Sequence, residues 1–373
     1  MKLSEFLKKP VRKFDNVEDV YNKGNRLSGY ICLESSKYYG ALYITEINNK
    51  KCEPQLVLSS PKMHYPFGKD GIFRIRQVPN NTFVYQKYDG TAIIGYAYSF
   101  QNKVYITYKT RLTVVTQGFD VYDFTKMWKE MLKKYPEIDS LISLKRTVVF
   151  ELYGILNKHL IIYNTPLDTT LLFGIDRTTD NIISPKDIKT NNIPNALLYN
   201  KINKQDNFIK FYNNLRNKIE KNNEIMDSGI IGSEGAVVYI PDKKLGYIQY
   251  KLKPESVMAI HCKPGLNKKD IITTCYNALE NISLEELNYN YIKTLLLEEI
   301  TEREIEVRKE TIEKCILNVK DEVKLRKQLI IRYKKCGKSI HKNKNDVMRY
   351  MSNYFPKNKM RYIYTILFAY EKN

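Results

Sequence analysis

Phe83-Val84-Tyr85-Gln86-Lys87-Tyr88-Asp89-Gly90-Thr91-Ala92 places a lysine two residues before Asp-Gly inside strand-forming sequence. A lysine is a nucleophile only as the neutral amine, a form favoured by desolvation or a neighbouring cation. Asp89 adds a carboxylate, and Gly90 a position where backbone can approach closely. On its own the pattern also describes a solvated turn after a strand, so the rest of the chain must decide.

Working outward, further strand-like segments each carry a charged group. Tyr105 to Arg111 ends in a basic residue, Val148-Val149-Phe150-Glu151-Leu152-Tyr153-Gly154 holds a carboxylate, and Ser233-Glu234-Gly235-Ala236-Val237-Val238 holds another beside glycine. Tyr247 to Lys253 closes the series with Lys251 and Lys253. Residues two apart on a strand share a face, so Lys87 and Asp89 should look into one cleft, and so should Lys251 and Lys253.

In this order the segments resemble the motifs of the covalent nucleotidyltransferases, the group that includes polynucleotide ligases and mRNA capping enzymes. Lys87-Tyr88-Asp89-Gly90 looks like motif I, Thr110-Arg111 like motif Ia and Phe150-Glu151 like motif III. Glu234-Gly235-Ala236-Val237 looks like motif IV and Lys251-Leu252-Lys253 like motif V. Within that group the chain most resembles the bacteriophage T4 RNA ligase 1 family, through Phe150 to Asn157 with its following Ile-Ile-Tyr, and through the helical sequence after motif V.

The resemblance implies an α+β fold: an ATP-grasp-like nucleotidyltransferase domain of antiparallel sheets flanked by helices over residues 1–262, then an all-α domain over 263–373 for RNA or tRNA recognition, with no OB-fold. It implies an ATP-dependent RNA ligase that joins 5′-phosphate and 3′-hydroxyl ends through a lysyl-AMP on Lys87. Lys251 and Lys253 would serve the α-phosphate, Lys251 first. Arg111 would hold the 5′-phosphate or adenylate, and Glu151 the ribose. Asp89, Gly90, Lys62 and Glu234 complete the nucleotide-binding set, with Glu234 also in the catalysis. Asp89, Glu151 and Glu234 would bind Mg²⁺, or Mn²⁺ in its place, directly or through water. The implied substrate is RNA, a cleaved tRNA being one candidate, and the protein is expected to be a cytoplasmic monomer. The alternatives are a non-catalytic RNA-binding protein on the same fold, a DNA ligase or a capping guanylyltransferase. Two positions depart from the pattern: Tyr39 stands where an arginine is usual, and Leu112 follows Arg111 where glycine is usual.

Composition agrees with a nucleic-acid partner. The 373 residues carry 61 Lys+Arg against 41 Asp+Glu, a net charge of +20, and a basic surface is the electrostatic footprint of phosphate binding. A genome biased toward Lys and Asn would raise the same residues. It would not segregate them: 282–322 has 6 Lys/Arg against 11 Asp/Glu, and 323–373 has 14 against 2. The cysteines, Cys32, Cys52, Cys262, Cys275, Cys315 and Cys336, lack metal-binding spacing and read as free thiols, with His261-Cys262 in a packing or surface role. The N-terminus lacks a signal-peptide pattern, no stretch reaches membrane-spanning length, and no Gly-x-x-x-x-Gly-Lys-Ser/Thr loop is present.

Coarse patterning predicts strands over Tyr39 to Ile44 and Gln55 to Leu58, and a hairpin of 92–99 with 104–108. Helices are expected over Asp123 to Lys134, with Trp128 in the core, and over Asp206 to Asn222, after a polar connecting segment from Ile182. Phe173 is a strand residue that fits either the core or an adenine stack. Past Pro264-Gly265 the character becomes helical. Ser283 to Glu286 reads as a capping box, a long helix should stop at Gly337, and one or two helices should fill Asp346 to Tyr370.

Overall fold

The strand-forming segments before Lys253 pair into three main antiparallel sheets, and helices follow them. A computed structural model describes the chain except residues 35, 69–71, 76, 120–121, 158, 203–206, 227–228, 258–267, 280, 298–301 and 373. The first sheet is a meander of Val11–Glu18, Arg26–Cys32, Leu42–Ile47 and Lys50–Val57. The second runs in the order Ile182–Ile183, Asp168–Asp176, Arg146–Tyr153, Thr91–Phe100, Lys103–Lys109. The third is Leu198–Ile202, Thr82–Lys87, Gly235–Asp242, Gly246–Leu252. The fold is therefore mixed α+β, with antiparallel sheets and C-terminal helices.

Register explains how the third sheet divides its side chains. Tyr85 pairs with Val237 and Val237 with Lys251, while Gln86 pairs with Ala236 and Ala236 with Leu252. Paired residues share a face and neighbours alternate. One face, carrying Phe83, Tyr85, Val237 and Tyr239, packs on Ile94, Val149 and Phe173 of the second sheet. The other, carrying Val84, Ala236, Val238 and Leu252, packs on Phe208, Tyr212 and Ile219 of the helix Phe208–Asn222. Phe173 is thus a core residue between two sheets.

The far side of the second sheet forms the largest core. Ile93, Phe150 and Leu152 meet Trp128 and Met131 of the helix Phe124–Lys134, and the same cluster runs on through Ile271, Cys275, Ile292 and Ile312 to Val323. A second cluster, from Leu329 through Val347 and Met351 to Leu367, holds the last helices. One helix, Lys309–Cys336, contributes to both. Gly337 ends it in the left-handed conformation, φ 65°, as the sequence implies. The expected boundary at 262/263, the Pro264-Gly265 step and the His261-Cys262 pair lie outside the described residues.

Several boundaries differ from the sequence reading. Tyr39 and Gly40 precede the strand: Tyr39 donates to the Ser36 carbonyl at 3.1 Å and Ala41 to that of Tyr38 at 2.8 Å, which makes a turn, and the strand begins at Leu42. The helix expected from Asp206 begins at Phe208, capped by the Asn207 side chain; Asp206 is outside the described residues. The supposed connecting segment supplies Leu198–Ile202, an edge strand on the Lys87 strand, whose polar, exposed composition concealed it. Ser283 and Glu286 do exchange the two capping-box bonds, at 2.8 and 3.3 Å, but they close a turn. The helix starts at Tyr289, where Asn288 is the cap. The described cysteines are free thiols, and no helix of the described residues is long and apolar enough to cross a membrane.

Trp128 is fully buried, 5.3 Å from the ring of Tyr108 and 5.4 Å from that of Phe150. Trp128→Ala should cost roughly 3–5 kcal/mol of stability, read as a lowered urea midpoint with the slope unchanged.

Candidate active site

The site forms where the two facing sheets run out of apolar residues. Following the alternation, Lys87 continues the Phe83–Tyr85 row, and Lys251, paired with Val237, lies on the same face. Across the cleft Glu151 pairs with Ala92, one step beyond the pair Val149 and Ile94, so it continues the row that packs on the third sheet. Register therefore puts Lys87, Lys251 and Glu151 on the two facing rows.

Glu234 is the hub. It is only 4% exposed, and its two carboxylate oxygens take different lysines: Oε2 accepts from Lys87 Nζ, and Oε1 meets Lys253 Nζ at 2.8 Å. Burial alone would raise its pKa, but the charges of Lys253 and Lys87 and their hydrogen bonds outweigh it and hold the carboxyl far below the usual range. Two glycines permit this geometry. A Cβ on Gly235 would lie 2.0 Å from the Leu252 carbonyl oxygen, so only glycine lets the Glu234 strand close on the Lys253 strand. A Cβ on Gly90 would lie 2.1 Å from the Leu152 oxygen, which fixes the turn after Lys87 against the Glu151 strand.

Asp89 is held by that turn. Its Oδ2 accepts from Ile161 N at 2.8 Å, and its own N–H donates to the Tyr163 hydroxyl at 2.8 Å. Burial, then the charge of Glu234, raises the Asp89 pKa. Tyr163 is raised too, by burial first and then by the charges of Asp89, Glu234 and Glu151. Tyr163 was not singled out as a site residue from sequence, although it is the tyrosine of the Ile-Ile-Tyr run.

The remaining basic residues make separate contacts. Lys251 Nζ lies 4.4 Å from the Tyr65 ring centre, and Lys251 N donates to the His64 carbonyl at 2.9 Å. Burial, then the charges of Lys62 and Lys251, depress the His64 pKa. Arg111 makes its contacts elsewhere, with Ser60 Oγ at 3.3 Å and with the face of Tyr39 at 5.7 Å. Tyr39 therefore supplies a platform beneath a guanidinium, where an arginine was expected. Lys109, unmarked in the sequence reading, is fully buried and donates to the carbonyls of Gly40, Thr110 and Arg111 at 3.0, 2.9 and 2.8 Å and to Ser59 Oγ at 3.2 Å. It pins the backbone that carries Arg111. A buried amine among uncharged acceptors has its pKa driven well below the usual lysine value by burial and by Arg111.

Direct metal ligation by Asp89, Glu151 and Glu234 does not fit this arrangement. Both oxygens of Glu234 are occupied by lysines and one of Asp89 by a backbone N–H. Among the described residues no three His, Cys, Asp or Glu side chains are grouped to hold an ion.

No protein-family model matches the chain, and no curated protein is similar to it in sequence. Among solved structures it is similar to a Naegleria gruberi RNA ligase with PPi, at 8% identity and a TM-score of 0.33, covering 67% of this chain and 97% of that one. A mutant of a Naegleria gruberi RNA ligase with ATP and Mn gives 11% and 0.31, covering 58% and 67%. With such TM-scores these likenesses do not carry the functional reading, which rests on the site.

Glu234→Gln would leave two nearly buried ammonium groups without their counter-charge, at a cost of about 3 kcal/mol at pH 7. Because the folded pKa of Glu234 lies below its unfolded value of about 4.5, the stability it contributes is complete above that pH and declines as pH falls below it. The gap between wild type and variant in urea titrations should therefore be constant from pH 7 to pH 5 and narrow under more acid conditions. Lys109→Met, which strips a donor from three buried carbonyls, should lower stability by roughly 3 kcal/mol in the same assay.

Proposed function

We propose that the chain is a covalent nucleotidyltransferase, and within that class an ATP-dependent RNA ligase of the bacteriophage T4 RNA ligase 1 type. The observation that carries this reading is the pairing of Lys87 and Lys253 on one buried carboxylate, opposite Glu151 across a cleft. A solvated turn or a structural ion pair needs no second lysine and no facing carboxylate. The net charge of +20 and the basic last segment support an RNA partner. Residues 263–373 would supply RNA recognition, and the ordered motifs support the choice of branch.

In the first step Lys87 Nζ, having released a proton to solvent water, forms a bond to the α-phosphorus of ATP, while the bond from that phosphorus to the bridging oxygen of pyrophosphate breaks and pyrophosphate leaves. Lys253 and Lys251 neutralise charge on the phosphate, and Lys62 belongs to the nucleotide-binding set. Glu234 holds Lys87 and Lys253 together and keeps the nucleophile in place. With so low a pKa it is a poor proton acceptor, so its role is positioning and charge balance. Glu151 hydrogen-bonds the ribose hydroxyls. AMP then passes from Lys87 to a 5′-phosphate held by Arg111, and a 3′-hydroxyl displaces it. All three are displacements at phosphorus, in which placement and charge neutralisation supply most of the rate. Mg²⁺, or Mn²⁺ in its place, belongs to this reading only as an ion that arrives on the nucleotide's phosphates and keeps its water shell.

The test is incubation with α-labelled ATP or GTP and Mg²⁺, followed by denaturation. ATP should leave label on the wild type and none on Lys87→Ala, and Lys253→Ala should reduce labelling about 100-fold or more. Labelling from GTP alone would assign a capping-type guanylyltransferase, and no labelling from either would leave a non-catalytic RNA-binding protein.

A further inference from the structure

The third sheet has a second side. Behind Lys87, on the face that packs against the helix Phe208–Asn222, lies a cavity of about 730 Å³ that Gln86 and Ser233 reach from the sheet. These are the residues immediately before Lys87 and Glu234, so the cavity and the site are separated by the thickness of one sheet. The wall opposite is a helical stripe at four-residue spacing, Lys210, Asn214, Lys218 and Asn222, with the rings of Tyr199 and Phe211 beside it.

We propose that this groove binds single-stranded nucleic acid, as a second contact for the strand whose end is processed at Lys87; the role of the strand, though not the groove, rests on the reading above. The volume is within the range of nucleotide-sized sites. Lys210 and Lys218 are eight residues apart, about 12 Å along the helix, so they span more than one backbone phosphate. Among the described residues neither is in an ion pair. Of the helix's other charges, Arg216 pairs with Glu255 at 2.9 Å, Glu220 accepts from Ser256 N and Oγ at 2.9 Å, and Lys221 lies outside the groove. Bases would stack on Tyr199 and Phe211, and asparagines would serve their edges, the usual combination of basic track and aromatic platform for single strands. The groove also touches the hub. Asn223 exchanges two 2.9 Å bonds with the Ser233 backbone, and the Tyr199 hydroxyl lies 3.1 Å from Ser233 Oγ, so an occupant rests on the residues that aim Glu234.

The test is fluorescence anisotropy of a labelled single-stranded RNA 12-mer carrying a 5′-phosphate, with wild type, Lys210→Glu/Lys218→Glu and the control Lys221→Glu. Lys221 is exposed on the same helix but outside the groove. The double variant should bind at least tenfold more weakly than the control, with a salt slope reduced by about 1.4 for two lost phosphate contacts. A 4-thiouridine 12-mer should cross-link within 199–222. Equal weakening in the control and the double variant, or cross-links confined to other segments, would overturn the proposal. Cross-linking of 8-azido-AMP but not of the 12-mer would also overturn it, in favour of a free mononucleotide. Covalent labelling from ATP should be unchanged in the double variant. If wild type takes no label while the lysine pair still governs RNA binding, the catalytic reading fails and the groove stands.

Discussion

A buried carboxylate shared by two ammonium groups is the constraint to which the rest of the molecule conforms. Glu234 can stay charged only while Lys87 and Lys253 reach it, and those lysines come from strands on either side of its own. That requirement fixes the register of three strands, makes Gly235 obligatory where two backbones nearly touch, and sets the direction in which the Lys87 amine points. The Lys87–Glu234–Lys253 cluster by itself carries one positive charge more than its carboxylate balances.

The supports of the site come from backbone as much as from side chains. Asp89 is steered by the Ile161 amide and by Tyr163, Arg111 by a carbonyl cage around the Lys109 amine, and Lys251 by His64, whose backbone bridges to Tyr250. Each support crosses between segments far apart in the chain. The same sheet presents Lys87 and Lys251 on one face and a groove on the other because alternate residues point opposite ways.

The parts of the site legible in the sequence were those governed by local rules. Strand alternation grouped Lys87 with Asp89 and Lys251 with Lys253, helical spacing placed Trp128 in the core, and Gly337 marked a helix end. Features depending on distant pairings were hidden. Nothing local marks Lys109 as buried, since a lysine at a strand end is ordinarily solvated, and its cage comes from Gly40 and Ser59. Leu198–Ile202 is a strand because Thr82–Tyr85 offers it a free edge. The Ser283 box was read correctly as chemistry and wrongly as a helix start, because reciprocal capping bonds close a single turn equally well. Tyr39 looked like a lost function until its ring was found beneath Arg111.

The helix Lys309–Cys336 has its first half embedded in the core beside the second sheet and its second half in the terminal cluster. At 28 residues it is about 42 Å long, with the buried Arg326 clamped by Glu322 and Tyr362 where the two cores meet. The C-terminal bundle is thus mounted on a continuous rod rather than a tether. Moving the terminal cluster against the larger core would require bending or breaking that rod, so the two cores are coupled through the stiffness of one helix.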